Sequence, residues 1–328
     1  MAEYTLSISR DLHDKDRALD WLTALFPAAL MALIHYRWSV VALLLPAMAG
    51  YLAVAALFKR TELLTCRVVP ALVTGLLVVF GLPGGAPLWA AALAGVVAAL
   101  AAVLPTLLAR RWPHSEYAQP LLQPALVGCL LVWLVFPGLL SQAFIMPAQW
   151  ATADGAMVVT SLPGLWDATV AIPTGRLFFG IYAGCMGQTC SPVLLLAAAY
   201  LLLRRRLRLI PFACMLAATA LASWVIWGRP LYGVLAGGTL LAALLLADRT
   251  VAPTHYGAQI ATGVTAAVVA VLLRAATHTD GMVAGVLLAC LTGPLWPILG
   301  RWIRRLVEWS VPRLKRILIK IKKIEKNS

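Results

Sequence analysis

Charge is scarce in this sequence. Of its 328 residues only 12% are charged, while 62% are hydrophobic; soluble domains run at about 25% charged and about 45–50% apolar. A soluble fold of this size has nowhere to hide so much apolar surface, whereas lipid removes the need to hide it. The thirteen acidic residues all avoid the middles of the long apolar runs. A carboxylate inside the membrane is the usual pointer to a proton or sodium path, so its absence argues against an autonomous ion pump or a carboxylate-coupled transporter. Histidine is equally thin: His13, His35, His114, His255 and His278 sit at run ends or in loops, and no two are four residues apart. They read as exposed or interfacial side chains and count against a haem held between helices. Six cysteines are scattered, with only Cys185 and Cys190 close together, in GCMGQTC. That spacing is neither a zinc nor a c-type haem pattern, so the cysteines read as small apolar fillers and no metal site is expected. No phosphate-cradling Gly-rich loop and no Ser/His/Asp arrangement is present, so motif logic names no catalytic residue. The first twenty residues are polar and lack the apolar core of a cleavable signal, which leaves targeting to the membrane helices.

What the sequence has is apolar length. Charge-poor runs of roughly 18 residues or more recur from Trp21 to Gly300, the signature of membrane-spanning helices. They predict an all-α polytopic membrane protein of about ten transmembrane helices, at roughly 19–35, 38–58, 66–82, 87–109 and 120–140, then 177–203, 209–227, 230–247, 258–276 and 281–299. Several open or close at Pro or Gly, as in Leu82-Pro83-Gly84-Gly85 and Phe136-Pro137-Gly138. With the N-terminus inside, all but four of the 27 basic residues fall in inside segments, the exceptions being Arg37, Arg176, Arg229 and Arg274. Lys and Arg accumulate on the cytoplasmic side, so both termini are expected there. The organisation is then a segment with five helices (1–140), an extracytoplasmic loop (141–176), five more helices (177–299) and a tail (300–328). Two five-helix halves suggest an internal repeat.

The tail alternates bulky apolar and basic residues and carries ten Lys and Arg against Glu308 and Glu325. It reads as an amphipathic helix lying on anionic lipid rather than as a nucleic-acid-binding element. Two polar intrusions remain. Gly187-Gln188-Thr189-Cys190 falls inside the sixth run, after Gly180, Gly184 and Gly187 at helix-face spacing. Small residues there allow close helix approach, or Gln188 and Thr189 line a cavity and bind a ligand. Asp248-Arg249-Thr250 ends the eighth run, as an ion pair or a water-facing turn.

Several segments in order resemble one family. LSISRDLHDKDRALDWLTALFPAAL near the start, LVTGLLVVFGLPGGAPLW (72–89), QPALVG (123–128), GQTC (187–190), LAGGTLLAALLLADRTVAP (235–253) and DGMVAGVLLACLTGPLWP (280–297) are similar to the RnfD component of the Rnf electron-transport complexes. RnfD is related to the NqrB component of the sodium-pumping NADH:quinone reductase. The resemblance covers most of the chain. It implies a multi-pass component of a bacterial inner-membrane complex that couples electron flow to ion translocation, with other membrane and peripheral subunits, including iron–sulfur ones, as partners. It also implies FMN, joined by a phosphoester to a Thr of the large outside loop. The matching stretch here is Thr169-Val170-Ala171-Ile172-Pro173, and Ile172 stands where the acceptor Thr is expected. Isoleucine has no hydroxyl. Thr169 and Thr174 flank the position and are the remaining acceptors; otherwise flavin is held non-covalently near Gln188 and Thr189, or the protein only scaffolds the relay. The alternative function is a solute transporter or channel on the same inverted-repeat scaffold.

Overall fold

Long runs of Leu, Ala and Val in lipid can satisfy their backbone N–H and C=O groups only within a helix, and helices are what these runs form. The computed structural model describes residues 2–58, 64–111, 123–141, 143–144, 173–180, 182, 184–236, 238–277, 286 and 288–290. The first half carries α1 (Ala2–Tyr36), α2 (Ser39–Phe58), α3 (Leu64–Phe80), α4 (Leu88–Arg111), α5 (Pro124–Val135) and α6 (Pro137–Ser141). The second carries α7 (Thr174–Phe179), α8 (Ser191–Leu203), α9 (Leu209–Trp227), α10 (Pro230–Leu235), α11 (Thr239–Ala247) and α12 (Tyr256–Thr277). Four stretches are long and apolar enough to cross a bilayer alone: Lys15–Tyr36, Ser39–Phe58, Leu209–Trp227 and Tyr256–Ala276. Leu45, Leu57, Leu196, Leu221, Val225 and Leu272 stand exposed on their helices, as side chains facing lipid do. The protein is an all-α, polytopic membrane protein.

Three expected spans are not continuous. The sixth, read as one helix over 177–203, is α7, an irregular stretch at 180–190, and α8. Its glycines are therefore not a helix face. Gly180 (φ 80°) closes α7 and Gly187 (φ 75°) turns the chain, a left-handed backbone that only glycine adopts freely. Pro192 then sits in the first turn of α8, where its missing N–H is no loss. The eighth span, read as 230–247, stops at Leu235 and restarts at Thr239 after Gly238 (φ 72°). The fifth is interrupted at Phe136, with Pro137 opening α6. The tail, most of the tenth span and most of the 141–176 segment lie outside the described residues.

The packing repeats between the halves. α2 lies along α4 as α9 lies along α12, and α1 packs on α3 as α8 packs on α11; α1 and α8 then meet across the halves. The turns after α1 and α8 each put an arginine in the left-handed region, Arg37 (φ 52°) and Arg205 (φ 55°), the non-glycine residues so placed among those described. This is the pattern of an internal repeat. It shows in packing more plainly than in sequence.

Within each half the tightest helix pair relies on missing side chains. A Cβ on Gly95 would run into the Ala47 carbonyl, and one on Gly50 into the Ala92 carbonyl, so α2 and α4 meet backbone to backbone. Gly263 of α12 faces the Pro211 carbonyl of α9 in the same way. Gly95→Ala is expected to lose about 1–3 kcal/mol through overpacking. Gly138→Ala, with nothing within 4 Å of the new Cβ, should melt at or slightly above the wild-type temperature. Thermal unfolding of the two variants in detergent checks the contrast.

Candidate functional site

The sixth and eighth spans lie side by side, and their breaks touch. α7 packs on α10 and α8 on α11, so the half-helices before the two breaks pair with each other, as do those after them. Unwound backbone inside a membrane protein must find partners, and here side chains supply them. The Leu235 carbonyl accepts from the Tyr182 hydroxyl (3.5 Å) and the Ser191 hydroxyl (3.4 Å). The Gly233 carbonyl accepts from Thr239 Oγ1 (2.6 Å), whose single proton has the Ala236 carbonyl (3.1 Å) as its alternative acceptor, and both carbonyls accept from Arg274 (3.3 and 3.4 Å). Arg274 is fully buried, although the sequence placed it in an outside segment. It lies in the last turn of α12, and its guanidinium turns inward because the break offers carbonyl oxygens where lipid offers nothing.

The first half contributes to the same region. Met186 N–H donates to the Leu82 carbonyl (3.2 Å), the Tyr36 hydroxyl donates to the Gly184 carbonyl (3.1 Å), and Phe80 fills the space where a Cβ of Gly187 would stand. His35 is buried as well, at 4% exposure, against the expectation of an interfacial histidine. It sits on the α1 face turned away from lipid. Cys129, Cys185, Cys190 and Cys290 are buried, as packing residues are expected to be. Among the described residues no group of His, Cys, Asp and Glu has the makings of a metal site.

A second polar cluster joins the halves at the opposite ends of the helices. Asp248, 1% exposed, accepts from Arg17 (2.5 Å), Gln123 (2.8 Å) and the Thr250 N–H (3.2 Å). Both readings of Asp248-Arg249-Thr250 hold: Asp248 is ion-paired, and residues 249–251 form a turn on which Arg249 is exposed. One turn along α1, Asp20 accepts from Arg204 (2.8 Å) and Arg206 (2.6 Å). α1 thus gives a positive charge to one carboxylate and a negative charge to two guanidiniums. The bond to Asp20 lifts the Arg204 guanidinium above its ordinary range, whereas burial, and then the charge of Arg249, lowers that of Arg208. Arg17, Gln123, the loop 204–208 and Asp248 all belong to helix ends that the alternating topology assigns to one side. The structure brings those ends together.

The residues singled out from the sequence separate. Gln188 and Thr189 are 8% and 2% exposed; they lie in the break rather than inside a helix, and the Gln188 carboxamide rests against Gly238, where any Cβ would overlap it. Thr174 is exposed at the start of α7. It borders a cavity of about 540 Å³ lined by Pro173, Gly228, Arg229, Pro230, Leu231 and Tyr232, to which neither Gln188 nor Thr189 contributes. Thr169 and Ile172 lie outside the described residues. Sequence reading passed over Arg17, Asp20 and Arg274. The available signals were opposite charges three apart at the head of an apolar run, and a lone arginine just before the end of another.

An all-α membrane fold with two repeated halves and paired helix breaks is compatible with more than one family. A family model matched over residues 8–304 decides among them. The chain belongs to the NQR2, RnfD, RnfE family. A direct comparison with curated proteins gives no match. Members of the NQR2, RnfD, RnfE family are membrane subunits of Rnf/Nqr-type complexes, and this chain is one of them. The matched residues include both helix breaks, the charge cluster and Thr174.

Proposed function

We propose that this protein relays electrons through FMN esterified to Thr174, on the outer side of the membrane. The position of Thr174 carries the reading. A flavin phosphoester needs an accessible hydroxyl, a nearby cation to offset the phosphate, and a flat apolar wall for the ring. Thr174, Arg229, and Tyr232 with Leu231 line one open cavity of about 540 Å³, and that set fits the group. When bound, FMN would supply one-electron transfer. Thr174 would anchor the phosphate and Arg229 would compensate its charge, while Pro230 and Tyr232 would orient the ring and keep water from one face. Gln188 and Thr189 are walled in and have no such room. The same reading makes the chain a bacterial inner-membrane protein with both termini cytoplasmic, other Rnf-like subunits as neighbours, and the basic tail on anionic lipid.

A second reading, a solute transporter or channel, draws on the paired helix breaks, the feature around which such proteins build binding sites. One experiment separates the two. The protein is co-expressed with a flavin transferase, and the denatured band is examined for flavin fluorescence and the peptides for an FMN-sized mass increment. Wild type and Thr169→Val should fluoresce and Thr174→Val should be dark. A dark wild type would sink the covalent relay and favour the transporter; loss in Thr169→Val alone would move the anchor there.

A further inference from the structure

The break in the second half has the parts of a cation seat. Where a membrane helix is interrupted, the freed carbonyls at the end of its outer half are the groups that coordinate Na⁺ or another small cation in transporters of this general build. Here the Gly233 and Ala236 carbonyls and the Thr239 hydroxyl converge in that way, yet all three oxygens already accept from a guanidinium. Arg274 NH1 donates to the Gly233 carbonyl and to Thr239 Oγ1 (3.2 Å), and its second amino group donates to Ala236. A fully buried guanidinium within a bilayer-spanning helix is expensive, and partners of this quality are what keep it there.

We infer that Arg274 is a tethered cation: it occupies the carbonyl seat at the 236–238 break, so this protein binds no free cation there. The seat is otherwise suitable. Its three oxygens come from a six-residue half-helix, the break itself and the first residue of α11, and Gly233 is pressed so close to α9 that a Cβ would meet the Ser223 hydroxyl. The oxygens are thus held in place by packing. A mobile ion would have to displace a charge fixed to α12, and with it the capping of α10. The inference stands whether or not Thr174 carries flavin.

The test replaces the tether and offers substitutes. Arg274→Ala and Arg274→Lys are purified in detergent in parallel in methylguanidinium chloride, sodium chloride or choline chloride at matched ionic strength, and their melting temperatures are compared. Arg274→Ala should be strongly destabilised in choline and regain at least half of the lost melting temperature with methylguanidinium, and part of it with Na⁺. Arg274→Lys should stay near wild type, and wild type should not distinguish the three salts. Should Arg274→Ala be recovered as a monodisperse protein only with methylguanidinium or Na⁺, that selective recovery is the same positive result. Equal stability of Arg274→Ala in all three salts, or its failure in all three, overturns the inference, as does a wild type stabilised specifically by Na⁺.

Discussion

Arg17→Ala is expected to lose about 3–5 kcal/mol of stability, the usual result of stranding one member of a buried ion pair. What it strands is the Asp248 carboxylate, whose side chain is 2% exposed and would keep only Gln123 and the Thr250 N–H. The pair is lopsided. Arg17 is 25% exposed and can turn toward water when its partner goes, whereas Asp248 cannot. Asp248→Asn should therefore cost less than Arg17→Ala, because a neutral amide can still accept from Gln123. The double variant Arg17→Ala/Asp248→Asn should be more stable than Arg17→Ala alone, with a coupling of about 1–3 kcal/mol. Equilibrium unfolding of the four proteins in mixed detergent measures the cycle. Strict additivity would mean that the pair contributes nothing as a pair.

Gly187→Ala is the other large effect. At φ 75° an alanine pays about 1–2 kcal/mol for a left-handed backbone. Its Cβ would also lie against the ring of Phe80, a residue with no exposure at all, adding about 1–3 kcal/mol of overpacking. The contributions separate by design. Adding Phe80→Leu to Gly187→Ala removes the ring edge but not the backbone strain, so the double variant should recover the packing share and keep the conformational one. A double variant that loses the full sum of the single losses would show that the ring is not what Gly187 accommodates.

The membrane class was legible because it rests on composition, and composition is blind to detail. Spans one to four were legible too, since each is a run of Leu, Ala and Val closed by Pro, Gly or a charge. The breaks in spans six and eight were not. Their residues are as apolar as the helices around them, and glycine at 180, 187 and 238 reads equally well as a packing notch or as a left-handed turn. Only the neighbours decide, by offering Tyr182, Ser191, Thr239 and Arg274 to the freed carbonyls. His35 and Arg274 were misplaced for a related reason. Sequence position near a span end sets depth, but the direction of the side chain around the helix follows from packing with α8, α10 and α11. Thr174 was legible as a hydroxyl near the expected anchor. That it borders an open cavity with Arg229 depends on α7 and α10 standing side by side, which no local pattern encodes.

The charge cluster of Asp20 and Asp248 also sets a timetable. Asp20 is synthesised 184 residues before Arg204, and Arg17 is synthesised 231 before Asp248. At about 5–20 residues per second the carboxylate of Asp20 waits roughly 10–40 s for its guanidiniums. Throughout that interval the head of α1 has its charges and none of its partners. The charges at the head of the first helix made are thus paired only after most of the second half has been synthesised.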